Sequence, residues 1–171
     1  PMPEDLGLRG AELGLEDNIT TGRFLGHSYQ LEVTLVPEGG DFADAVRAAL
    51  SRTGLLVLDA LGAQVLEAAD LPEAEGALVF NAGSEDPALR DTECRANVLH
   101  TLPSATMRAD ALMQFFLMRR WDEIALIEGE RPEDRAWADT MERSARKFGL
   151  QFGQRKTWSF DADMRRNAAQ E

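Results

Sequence analysis

Ala77 to Asp91 reads ALVFNAGSEDPALRD, and the fold turns on how this stretch is taken. Its first part, Ala77-Leu78-Val79-Phe80, is a short apolar run between Gly76 and Asn81. A run of that length suits a buried strand of a parallel sheet. Asn81-Ala82-Gly83-Ser84 then breaks the run with small residues, one hydroxyl and open backbone N–H groups. Small residues let a ligand approach the backbone closely. Asp86 suits a helical cap and Pro87 the first position of the turn behind it. In open α/β sheets, ligands bind at loops leaving the carboxyl ends of strands. The loop therefore reads as the floor of a small-molecule site, with an ordinary turn between strand and helix as the alternative.

Working outward, the same grammar repeats. Upstream, Glu4 to Asp17 predicts an amphipathic helix with Leu8, Ala11 and Leu15 on one face, and Asn18 to His27 a polar loop. Tyr29, Leu31, Val33 and Leu35 alternate with polar residues, which predicts a strand over Ser28–Val36. Asp41 caps a helix that buries Phe42, Val46, Ala49 and Leu50. Leu55–Leu58 predicts a short buried strand, and 61–69 a third helix. Downstream, a strand over 96–101 is stopped by Pro103. Ser104 caps a long helix to Arg120, with Met107, Ala111, Phe115 and Met118 as its apolar stripe. A strand over 123–128, a helix from Pro132 to Gly149, a strand over 151–160 and a short helix capped by Asp161 complete the series. One helix followed by repeated strand–helix units predicts an α/β protein with parallel sheets and right-handed crossovers.

Composition narrows the partners. The 171 residues are 44% apolar and 28% charged, as expected of a soluble globular chain. A net charge of −12 argues against nucleic acid. Of the 18 basic residues only Lys147 and Lys156 are lysines, so an anionic ligand would be gripped by arginine, which holds carboxylates bidentately. Arg90, Arg95, Arg108 and Arg135 stand in or near strand-end loops and helix starts. Cys94 is the only cysteine, which excludes an internal disulfide or a cysteine metal cluster and suits a small apolar filler. No stretch has the length and apolarity of a membrane-spanning helix. The start, PMPEDLGLRG, is too acidic for a signal peptide, as a mature exported chain or a fragment would also be.

Chemical motifs are few. There is no GxxxxGK and no GxGxxG. Asp59 follows a strand as a phospho-acceptor would, but no lysine follows a later strand to complete that site. His27 and His100 lack metal-ligand neighbours at useful spacing. A Cys94–His100 pair has no accompanying oxyanion element. Trp121, Trp137 and Trp158 could stack on a planar ligand or pack at element ends.

Four stretches together carry a resemblance: LGLRGAELGLED (6–17), FNAGSEDPALRD (80–91), VLHTLPSATMRADAL (98–112) and the run from Arg120 to Leu150. The sequence resembles the type I periplasmic ligand-binding proteins of ABC importers. Within them it looks most like the branch associated with PQQ-dependent alcohol oxidation. The resemblance implies a two-lobed α/β fold of doubly wound parallel sheets closing over a ligand. Residues 1–102 would form lobe one, 103–120 the crossover helix and 121–171 the start of lobe two. It implies ligand contacts from Asn81, Ala82, Gly83, Ser84, Thr101 and Ser104. Arg108 joins them, and Arg135 aligns roughly where amino-acid binders place an aromatic residue. It implies a periplasmic, non-enzymatic protein that captures a small anionic solute, pyrroloquinoline quinone (PQQ), for a membrane permease. A ligand-sensing regulatory domain and a binder of amino-acid-like solutes are the alternatives, and an enzyme using Cys94 comes last. Against the family pattern, the first strand and most of lobe two are absent from this chain. The expectation is a fragment whose gap is filled by an N-terminal strand or another chain.

Overall fold

The computed structural model describes residues 6–158. The apolar run forms β2, Leu78–Asn81, the middle strand of a three-stranded parallel sheet. It lies between β1, Leu55–Leu58, and β3, Val98–His100. The register sets Leu56, Val79 and Val98 in one row, and Leu58, Asn81 and His100 in the next row on the same face. Alternation then puts Leu55, Val57, Leu78, Phe80 and Leu99 on the opposite face. Helices α2 (Phe42–Leu50) and α3 (Gly62–Ala69) join the core, where Val46, Val65, Ala68, Val79, Leu89 and Val98 are buried. The other face stays open: Leu55 and Val57 are 62% and 61% exposed. The reading of Leu55–Leu58 as a short buried strand is thus corrected for one face, which the described residues leave open.

A second body follows. Helix α4 (Ala105–Arg119) packs on α5 (Pro132–Lys147), beside the parallel pair β4 (Ile124–Glu128) and β5 (Phe152–Thr157). Its core is Ala109, Met113, Met141, Ala145 and Leu150. Across the helices, Ser144 Oγ donates to Asp110 Oδ1 at 2.6 Å and Lys147 pairs with Oδ2 of the same carboxylate. Those two contacts hold Asp110 below the usual carboxylate range. The buried stripe of α4 runs through Ala109, Met113 and Phe116. The expected stripe of Met107, Ala111, Phe115 and Met118 lies outward, with Met118 72% exposed. Both stripes have helical spacing, and contact with α5 selects between them.

Three further corrections concern the N-terminal part and Cys94. Helix α1 runs Leu6–Leu25, through the stretch expected to be a loop. Asn18 Nδ2 caps back onto the Gly14 carbonyl at 2.7 Å, and the helix stops only at Gly26, whose φ is +72°. There Gly26 N–H bonds to Arg23 and His27 N–H to Gly22, the pair that closes a glycine C-terminus. The stretch 28–36 takes no regular secondary structure and joins neither sheet: among the described residues no strand pairs with it. It is tethered by Arg52, which forks onto Glu32 at 2.6 and 3.2 Å. Cys94 is exposed, so it fills no core. The helix expected after Asp161 lies outside the described residues.

Candidate ligand-binding site

Asn81 ends β2 fully buried, and its amide builds the loop that follows. Oδ1 accepts from the N–H groups of Ser84 at 2.8 Å and Gly83 at 3.2 Å. Nδ2 donates to the Ser84 carbonyl at 2.8 Å and to His100 Nδ1 at 3.0 Å. An amide has two acceptor lone pairs and two donor hydrogens, and here all four are used. The Asn81 side chain is therefore the frame of the loop, with nothing left to offer a ligand.

The neighbours are equally committed. Ala82 N–H bonds to the Leu58 carbonyl at 2.8 Å, and Thr101 bonds to the Asn81 carbonyl through N–H at 3.0 Å and hydroxyl at 3.2 Å. Ser84 Oγ accepts from Asp86 N–H at 3.3 Å. Gly83 passes so close to the loop after β1 that an added Cβ would lie 2.5 Å from Ala60 N and 2.6 Å from Asp59 Oδ1. Only glycine fits there. Ser104 is buried and caps α4, accepting from Met107 N–H at 3.3 Å. The structure thus gathers Asn81, Ala82, Gly83, Ser84 and Thr101 at the carboxyl ends of the three parallel strands.

Next to this rim is a cavity of about 590 Å³, lined on one side by Glu85, Asp86 and Pro87 and on the other by α4 and α5. Of the predicted site residues Arg108 lines it, whereas Asn81, Ala82, Gly83, Ser84, Thr101, Ser104 and Arg135 do not. Arg108 Nη1 is held by Glu85 at 2.5 and 2.7 Å, and its guanidinium lies 5.5 Å over the Trp137 ring. Arg135 is exposed on α5 and makes no ion pair among the described residues. Carboxylates outnumber cations around the cavity: Glu85, Asp86, Glu133 and Asp134 against Arg108 alone. Arg131 forks onto Asp134 at 3.1 and 3.2 Å and holds it below the usual carboxylate range.

Sequence reasoning missed Glu85, Glu133, Asp134, Trp137 and Thr140 as cavity walls. Trp137, a candidate for stacking by residue type alone, acquires its place here. It also missed His100 as a partner of Asn81, although equal depth in neighbouring strands was a usable signal. Burial and the adjacent Arg90 charge push His100 below its ordinary value, against a hydrogen bond to the Leu89 backbone that favours the charged ring.

No family description fits this sequence and no curated protein matches it. Solved structures do. An ABC transporter substrate-binding protein from Desulfitobacterium hafniense superposes with a TM-score of 0.66 at 17% identity, over 88% of this chain and 46% of its own. The chain thus shares the α/β fold of part of a type I periplasmic binding protein. The D. hafniense protein solved in complex with Leu gives the same TM-score of 0.66 at 17% identity, over 86% of this chain and 46% of that one. A branched-chain amino acid ABC transporter periplasmic ligand-binding protein from Burkholderia xenovorans LB400 gives 0.60 at 15% identity, over 70% and 33%. The chain spans less than half the length of each of these proteins.

Proposed function

We propose that this chain is the part of a periplasmic solute-binding protein that receives an amino-acid-like molecule for the permease of an ABC importer. The observation that carries the reading is the cavity walled by Glu85, Asp86 and Pro87, just beyond the loop after β2, and by α4 and α5. At about 590 Å³ it falls within the range of small-molecule sites, roughly 300–1,000 Å³. Its lining supports the substrate class. Glu85, Asp86, Glu133 and Asp134 favour a ligand that brings a cationic group, such as the ammonium of an amino acid. Trp137 offers an apolar ring, and a protein of the same fold was solved with Leu. Nothing in this role requires catalysis.

PQQ is the second reading. Its favouring observation is Arg135, which has no ion-pair partner among the described residues and stands on the helix that carries Trp137. Against it, Arg108 is already clamped by Glu85, and three ligand carboxylates would face an acidic wall. Calorimetric titration with leucine and with PQQ separates the two. Leucine binding that weakens at least several-fold in Trp137→Ala supports the proposal. PQQ binding lost in Arg135→Ala, without leucine binding, replaces it with the second reading. Binding of neither solute sinks both.

A further inference from the structure

Asn81 and His100 are neighbours in one row of the sheet, and the hydrogen bond between them has only one polarity. The amide nitrogen of Asn81 has no lone pair to offer, so His100 Nδ1 must accept and must carry no proton. The other half of the same amide holds Gly83 and Ser84. Protonation makes both ring nitrogens donors. An Nδ1–H would then face the Asn81 Nδ2 hydrogens. Turning the amide over would offer Oδ1 to the ring, but it would aim Nδ2 at the N–H groups of Gly83 and Ser84. No amide orientation serves a charged ring and the present loop together.

The surroundings of the ring reinforce this. Among the described residues the charged group acting on it is Arg90, in the Pro87–Arg90 turn. One Arg90 nitrogen holds the Leu102 carbonyl, and the other is buried without a partner. On β2 the ring meets the neutral amide of Asn81, and from the turn it also meets the Leu89 backbone. No carboxylate among the described residues bonds to the ring.

We propose that His100 is a positioning residue for the Asn81–Ser84 loop, and that proton uptake at its Nδ1 dismantles the loop frame and releases the ligand in acid. The release half rests on the functional reading above; the coupling of ring to loop does not. The test labels the whole chain with ¹⁵N on histidine, asparagine, glycine and serine and follows it from about pH 7.5 to about 5, the range where imidazole ordinarily titrates. At neutral pH the His100 Nδ1 signal should be that of an unprotonated nitrogen. The Asn81 side-chain, Gly83 and Ser84 signals should then move with the same midpoint as the His100 ring. In His100→Gln, whose amide oxygen can accept from Asn81 without titrating, that movement should vanish. A proton on Nδ1 at neutral pH, loop signals that ignore the ring, or an unchanged titration in His100→Gln each overturn the proposal. If the variant does not fold, the tautomer and the shared midpoint in the unaltered chain decide alone. Leucine titrated over the same range should bind more weakly as the ring charges. A chain that binds no leucine at any pH counts against the proposed function and leaves the loop result standing.

Discussion

Two apolar stretches of this chain, one a continuous run and one an alternating pattern, both read as strands and meet opposite fates. In β2, Val79 is fully buried between two hydrogen-bonded neighbours. In the arm over 28–36, Val33 is 49% exposed and, among the described residues, no strand lies beside it. A strand is stabilised by partners on both edges and by a covered face, and local pattern supplies neither. The loop after β2 adds a second contrast. Its polar groups are satisfied by one buried amide, whereas the arm is held by the Arg52–Glu32 fork, an exposed ion pair of small worth.

The comparison can be broken most directly at Asn81. Asn81→Ala strips partners from two N–H groups, a carbonyl and an imidazole nitrogen. At about 1–3 kcal/mol for each buried group left unpaired, less where water can enter, the loss should be about 2–4 kcal/mol by urea unfolding. A loss under about 1 kcal/mol would mean that the loop does not depend on its frame. Matched valine truncations come next. Val79→Ala should cost about 2 kcal/mol through lost burial and the cavity left behind, and Val33→Ala should stay within about 0.5 kcal/mol. Equal effects would show that the arm is packed in solution.

A smaller effect is expected with pH. His100 titrates below its ordinary value of 6.5 because the folded chain disfavours the charged ring. Its contribution is complete above that value. As the pH falls through it, the unfolded chain takes up the proton first and stability declines until the folded ring also charges. Thermal midpoints between about pH 7.5 and 5 should fall in the unaltered chain and fall less in His100→Gln. The weakest effect is intermolecular. Among the described residues no strand pairs with the outer edge of β1, and open edges recruit strands. We expect concentration-dependent self-association, reduced by Val57→Lys. A strict monomer at all concentrations in sedimentation would show that this edge is closed.

The sequence by itself determined the element order from α2 onward, the parallel α/β class, the Asp41 and Ser104 caps and the position of the loop after β2. These depend on local chemistry: apolar runs, capping oxygens, small residues and prolines. It also singled out Arg108, which lines the cavity. Tertiary structure alone decided which stripe of α4 is buried, because Met113 and Met118 differ only in whether α5 lies against them. It decided that residues 28–36 make no strand, since pairing requires a neighbour that pattern cannot provide. It turned Asn81 from an expected ligand contact into the frame of the loop, because the β2–β3 register sets His100 beside it. It also made the cavity acidic by gathering Glu85, Asp86, Glu133 and Asp134 from segments far apart in the chain. Such convergence follows from the crossing of α4 and α5, which no stretch of sequence encodes locally.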